Sequence, residues 1–262
     1  MDRRDFIKKT TMAAVGATVA TPLAAMLAKT ETAGLTENEV GQLSTEASPT
    51  ATPADGKLKV LLINGSPRND GNTQCALQEI ATQLEKHGLE TEIVQTGRGP
   101  VHPCVNCGSC HRKGKCVFDD DLCNRVAEKM AEAHALIVGS PVYYGQPNGG
   151  VLSLMQRLFY SAGRYVQDKP AAAVTVCRRG GATAAFQTLN MMFQMMNMPV
   201  VTSQYWNIVY GAGKGEAKLD SEGMQTMRSL AHNMAWLLKK IHAGDGDVPE
   251  REKDKVFMNF IR

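Results

Sequence analysis

The chain has little imbalance of charge: 29 Lys and Arg stand against 26 Asp and Glu, a formal net charge of +3. So small a balance leaves no electrostatic footprint for a nucleic-acid partner. It lacks any internal repeat, and no side chain is set out as an obligatory acid or base. Its most loop-like strand-to-helix turn, around residue 66, reads neither G-x-G-x-x-G nor G-x-x-x-x-G-K-[ST], so the dinucleotide and nucleoside-triphosphate patterns have no support. Seven cysteines in 262 residues are not the dense framework of a small disulfide-stapled domain, so their spacing carries more information than their number. With 43% hydrophobic residues the length suffices for one core, with chain left over at the ends.

What is present begins with Lys59-Val60-Leu61-Leu62-Ile63-Asn64-Gly65-Ser66-Pro67-Arg68-Asn69-Asp70-Gly71-Asn72-Thr73. The apolar run predicts a strand buried on both faces, and Ala76, Leu77, Ile80 and Leu84 then recur at helical spacing. A polar turn between strand and helix gathers free backbone N–H groups at the positive end of a helix dipole, which suits a phosphate. Ser66 and Thr73 add hydroxyls, Asn72 an amide and Arg68 a guanidinium fork. An ordinary capped βα turn has the same outline. The wording resembles the first strand and phosphate loop of flavodoxin-like FMN reductases, I-x-G-S-P-R-x-x-[GS]-N-T, which implies that this loop holds the 5′-phosphate of FMN.

Further elements alternate: strands over 90–94, 135–139, 171–176 and 199–202, and helices over 121–133, 149–161, 182–196 and 221–242. Alternating β and α predicts an α/β three-layer sandwich, a parallel sheet with helices on both faces. The resemblance implies a flavodoxin-like, five-stranded order 2-1-3-4-5, with ligand beyond the carboxyl ends of strands one and three. The loop after strand three, Ser140-Pro141-Val142-Tyr143-Tyr144-Gly145, fits that expectation. Adjacent aromatics suit a flat ring, although tyrosines that merely fill the crevice would look alike. G-S-P-V-Y-Y-G resembles the family's second flavin loop, which implies that Pro141, Val142, Tyr143, Tyr144 and Gly145 line the isoalloxazine. After strand four, Arg178-Arg179-Gly180-Gly181 combines small residues with cations. By the same resemblance Arg179 and Gly180 are candidates for the pyrimidine edge or ribityl chain.

Between strand two and the next helix stand Cys104, Cys107, Cys110 and Cys116, spaced C-x2-C-x2-C-x5-C and followed by Asp119-Asp120-Asp121. The C-x3-C-P continuation of bacterial ferredoxins is absent. Zinc, disulfides formed after export and idle thiols in a loop all remain open readings of the spacing. The stretch resembles the iron–sulfur flavoproteins, FMN proteins of the same fold, and the resemblance implies that these four cysteines hold a [4Fe–4S] cluster. Cys123 is a spare thiol. Cys75 and Cys177 read as small hydrophobes.

Arg3-Arg4 precedes a basic flank and an uncharged stretch over 10–28, which resembles a twin-arginine export signal over residues 1–29, with no clean A-x-A site. Residues 30–56 have the composition of a flexible linker, 57–243 the pattern of the folded domain, and 244–262 form a tail. The expectation is thus an exported, periplasmic flavin-dependent oxidoreductase, touching a membrane only through an uncleaved signal. It would pass electrons between a reduced donor and a small acceptor such as a quinone, or a partner protein. Family members take hydride from NAD(P)H, a cytoplasmic metabolite, so export points to another donor. A non-catalytic electron carrier is the competing reading. The Met191, Met192, Met195, Met196 and Met198 cluster reads as core or as the contact of a homodimer or higher oligomer, which the resemblance also implies.

Overall fold

The computed structural model describes residues 56–243. The export signal, most of the linker and the tail expected from the sequence lie outside the described residues. In chain order the elements are β1 (Lys59–Asn64), α1 (Asn72–Lys86), β2 (Glu90–Gln95), α2 (Ser109–Lys113), α3 (Cys123–Glu132), β3 (Ala135–Tyr143), β4 (Gln146–Pro147), α4 (Gly149–Val166), β5 (Ala171–Cys177), α5 (Ala182–Met195), β6 (Ile208–Tyr210) and α6 (Ser221–His242), with a 3₁₀ turn at Glu216–Leu219. Strands β2-β1-β3-β5-β6 lie side by side, all parallel, in the expected flavodoxin-like order.

Alternation along the central strands divides the interior into two cores. Val60, Leu62, Ile137 and Val174 meet Leu77, Ile80, Leu84, Leu230 and Leu238 of α1 and α6. Leu61, Ile63, Leu136 and Val138 meet Val126, Met130, Leu154, Leu158 and Phe193 of α3, α4 and α5 on the other face. A strand that feeds two cores must be apolar at every position, which is why β1, β3 and β5 read as continuous hydrophobic runs. Among the described residues no helix is long and apolar enough to cross a membrane.

The fifth parallel strand is a correction. It lies at Ile208–Tyr210 rather than over 199–202, where Val200 makes only a single bridge to Ala171. Ala171 faces Val200 and Thr175 faces Ile208, so four steps along β5 correspond to eight along its neighbour. The extra residues bulge outward. Pro199 has no N–H to give a ladder, and Asn207 repairs the gap: its carbonyl accepts from Thr175 N at 3.0 Å and its amide donates to the Ala173 carbonyl at 3.0 Å. Two smaller differences matter for the site. β3 runs on to Tyr143 and turns back as a hairpin, Val142 facing Pro147 and Tyr143 facing Gln146. Helix α4 continues past residue 161 to Val166 through a kink at Ala162.

Candidate functional site

At the carboxyl edge of the sheet the loops after β1, β3 and β5 leave three adjacent strands. The first is built by its own polar groups. Asn64 is fully buried, and its Oδ1 accepts from Ser66 N at 3.0 Å. Ser66 Oγ then accepts from Arg68 N at 3.1 Å, curling residues 64–68 into a concave turn. Gly65 is required here, since a Cβ would lie 2.8 Å from Val151 Cβ on α4. The turn leads into α1, whose N-cap residue Gly71 supplies no side-chain cap, leaving the first-turn N–H groups without one. Ser66 and Thr73 are buried at this end and Arg68 is exposed beside them.

Asn72, a phosphate candidate by sequence, has its side chain occupied elsewhere. Its amide donates to the Gly213 carbonyl at 2.8 Å and its Oδ1 accepts from Ala217 N at 3.1 Å, tying the segment after β6 to the start of α1. Lys214 pairs with Asp70 across the same junction, and that cation holds the Asp70 carboxyl below its ordinary range. Sequence reasoning also passed over Gln95, at the end of β2, which donates to the Ser66 carbonyl and whose Oε1 is buried without a partner.

The second loop is the β3–β4 hairpin. Tyr144 and Gly145 occupy its two turn positions at φ 51° and 77°, a left-handed pair that matches the twist of the strands. Tyr144 is fully exposed and Tyr143 is 45% exposed, while Pro141 and Val142 are half-buried beneath them. Two aromatic rings held out on a short hairpin are an uncovered stacking surface. The third loop touches the second: a Cβ on Gly181, at φ +85°, would lie 2.8 Å from Gly145 Cα. Gly181 is also the N-cap residue of α5, again without a side-chain cap, and Arg179 and Gly180 are exposed just before it. Two uncapped helix starts, a concave polar turn and a pair of exposed tyrosines fit a phosphate at one end and a planar ring at the other. Tyr205 and Trp206 remain exposed, their rings 5.1 Å apart.

The cysteine loop lies on the α3–α4 side. Cys104, Cys107, Cys110 and Cys116 all border one small hollow, closed by Phe118, Arg157, Tyr160 and Ser161. All seven cysteines are free thiols, so the disulfide reading finds no pair. Among the described residues no three His, Cys, Asp or Glu side chains converge as ligands of a single ion. A multi-iron cluster spreads its thiolate ligands farther apart than one ion does, and four thiols around a shared hollow fit that donor set. Cys107 is held below the ordinary thiol range by N–H donation from Ser109, while burial pushes Cys110 up and Cys123 up to about 11. Cys123 is therefore an inert core thiol. Cys177 is buried as expected, whereas Cys75 is half-buried against the core.

Two residues that the sequence did not single out hold this loop. Asn124 Oδ1 accepts from Cys116 N at 3.0 Å, and its amide donates to the carbonyls of Cys116 and Phe118 at 3.1 and 3.2 Å and to Asp119 Oδ1 at 2.9 Å. Arg157, 2% exposed, pairs with Asp121 and donates from Nε to Cys116 Sγ at 3.2 Å. Burial pushes the Asp121 carboxyl up, but Arg157 and the N–H groups of Cys123 and His102 outweigh it and hold it below the usual range.

The chain matches the NADPH-dependent FMN reductase family over residues 58–213. It is 33% identical over 192 residues to an iron–sulfur flavoprotein of Methanocaldococcus jannaschii, covering 70% of this chain and 99% of that one. To the iron–sulfur flavoprotein of Methanosarcina thermophila it is 30% identical over 190 residues, covering 70% and 97%. Among solved structures, the NAD(P)H:acceptor oxidoreductase FerB of Paracoccus denitrificans superposes at a TM-score of 0.53 and 16% identity, over 70% of this chain and 98% of that one. RosB with a bound riboflavin-phosphate intermediate superposes at 0.53 and 19% identity, over 71% and 81%. These two likenesses establish the fold. Family match and curated relatives together establish the rest: the chain belongs to the NADPH-dependent FMN reductase family and is an FMN-dependent oxidoreductase of flavodoxin-like fold.

Proposed function

We propose that the protein works as an iron–sulfur flavoprotein, with FMN at the carboxyl edge of the sheet and a [4Fe–4S] cluster on Cys104, Cys107, Cys110 and Cys116. The observation that carries this reading is the single hollow bordered by all four thiols. Ser66, Thr73 and the open N-terminus of α1 would receive the phosphate, with Arg68 beside it as an exposed counter-charge. Asn72 contributes by anchoring the segment after β6 with its side chain rather than by meeting the phosphate with it. Pro141 to Gly145 would bear the ring, and Arg179 with Gly180 its polar edge. When bound, the flavin supplies hydride and single-electron chemistry, and the protein's part is to hold, orient and tune it.

Arg3-Arg4 and the uncharged stretch after it support export by the twin-arginine route. An exported protein has no NAD(P)H supply, so its donor would be a quinol, a cytochrome or a partner protein, and its acceptor a quinone or a second partner. Exposed Met191, Met195, Tyr205 and Trp206 give apolar area for a subunit or partner contact.

The decisive experiment is anaerobic purification with FMN, iron and sulfide quantified per chain, followed by turnover of a quinone under a chemical reductant. One FMN and about four irons per chain are expected, that count being the content of a cubane cluster. Flavin without iron would overturn the cluster, and flavin with iron but no turnover would leave an electron carrier.

A further inference from the structure

Helix α4 links the two halves of the molecule that carry redox-active groups in the reading above. Its N-cap, Asn148, sits at the foot of the tyrosine hairpin: Asn148 N donates to Ser140 Oγ at 2.9 Å, and its Oδ1 accepts from Gly150 N at 2.8 Å. Arg157 lies eight residues after Gly149, about 12 Å along the helix at 1.5 Å per residue. There the guanidinium is buried and makes four hydrogen bonds. Nε donates to Cys116 Sγ at 3.2 Å, Nη1 to the His102 carbonyl at 3.2 Å and to Asp121, and Nη2 to the Phe118 carbonyl at 3.2 Å, with the plane 5.2 Å from the Phe118 ring.

A buried arginine is costly to a fold that needs only a loop anchor, since backbone donors would satisfy the carbonyls without bringing in a charge. Asp121 neutralises it, yet its oxygens also take N–H bonds from His102 and Cys123, and the guanidinium Nε–H is aimed at a sulfur rather than an oxygen. Of the four candidate ligands, Cys116 is the one on which the buried guanidinium donates.

We propose that Arg157 is a positioning residue for the cysteine loop, which locks Cys116 toward the hollow and raises the reduction potential of the cluster held there. The inference rests on the cluster assignment. Its physical basis is that one electron enters without any bond being made or broken, so reduction adds a full negative charge to the cluster and its thiolates. A nearby cation and an N–H donor to a ligand sulfur stabilise that added charge.

The test is a dithionite titration, followed by electron paramagnetic resonance for the cluster and by absorbance for the flavin, on anaerobically purified full-length protein. Arg157→Lys keeps the charge without the fork, and Arg157→Gln keeps a donor without the charge. The double variant Arg157→Met, Asp121→Leu removes both buried charges, so no carboxylate is orphaned and folding is protected. Bound FMN serves as the folding control. In Arg157→Gln the oxidised-to-reduced cluster ratio at a fixed potential should rise at least tenfold, equivalent to 59 mV for one electron; the double variant, which loses the N–H donor to Cys116 but no net charge, should show a smaller rise. Arg157→Lys should fall between Arg157→Gln and the parent, and the flavin potential should not move. Full iron with an unmoved cluster potential in both Arg157→Gln and the double variant would overturn the role of Arg157 alone. A parent protein with FMN and no iron would overturn the cluster assignment and this role with it.

Discussion

Single residues decide the shape of the flavin edge. Gly181 is the sharpest case, because its left-handed φ and the 2.8 Å approach to Gly145 both exclude a side chain. Gly181→Ala should cost about 1–2 kcal/mol of stability from backbone strain alone. It should weaken FMN retention further, by pushing the tyrosine hairpin away from the loop after β5. Fluorescence titration of the apoprotein with FMN, alongside urea unfolding, separates the two effects; unchanged affinity would remove the hairpin from the ring site. Ser66 bears on the opposite end. Replacing Ser66 and Thr73 together with Ala should reduce FMN affinity at least tenfold, since a hydrogen bond to a charged group is worth about 1.5–3 kcal/mol.

Elements were legible in the sequence where one physical signal dominated. β1, β3 and β5 are buried on both faces, and such strands spell themselves as apolar runs. β6 is not of that kind. Three residues at an edge carry no periodicity, and the Pro199-Val200-Val201 run that looks more like a strand makes only one bridge. Loop residues were legible through composition, which places Ser66, Tyr143, Tyr144 and the cysteines at the right ends of the right elements. Arg157 and Asn124 stayed hidden because each sits on an amphipathic helix among residues of ordinary helical spacing, while the partners of Arg157 lie tens of positions away and those of Asn124 lie in the irregular loop before its helix. Asn72 shows the converse. Its type and place suited a phosphate, yet its amide is held by Gly213 and Ala217. Asn72→Ala should therefore lower stability by about 1–3 kcal/mol through the two lost bonds, read as a lower urea midpoint in flavin-free protein. A variant that lost flavin affinity with no loss of stability would return Asn72 to the phosphate.

For the whole molecule, the feature with a pH signature is Lys169, just past α4. It is 6% exposed, and its Nζ donates to the Met130 carbonyl at 2.6 Å near the end of α3. Burial lowers this ammonium from 10.5 to about 8. Above about pH 8 the folded chain releases a proton that the unfolded chain keeps until about 10.5, so stability should rise with pH across that window. The gain is about 3 kcal/mol at most. Lys169→Met should abolish this rise while leaving the fold intact, as urea unfolding at pH 7.5 and pH 10 would reveal. Equal slopes in parent and variant would assign the rise to other groups.

Both borders of the sheet bear on how the protein survives at high concentration. An unpaired border strand is a template on which another chain can polymerise, and long flat ones seed aggregates. Here one border, β2, is faced with Glu90 and Glu92, the latter tied to Lys59 and Lys129. The other, β6, is three residues long and follows a bulge, too short and too offset to align a foreign strand. The irregularity that concealed β6 from a sequence reader thus also denies purchase to a neighbouring molecule. What the fold leaves uncovered is helix faces and exposed rings rather than backbone ladders.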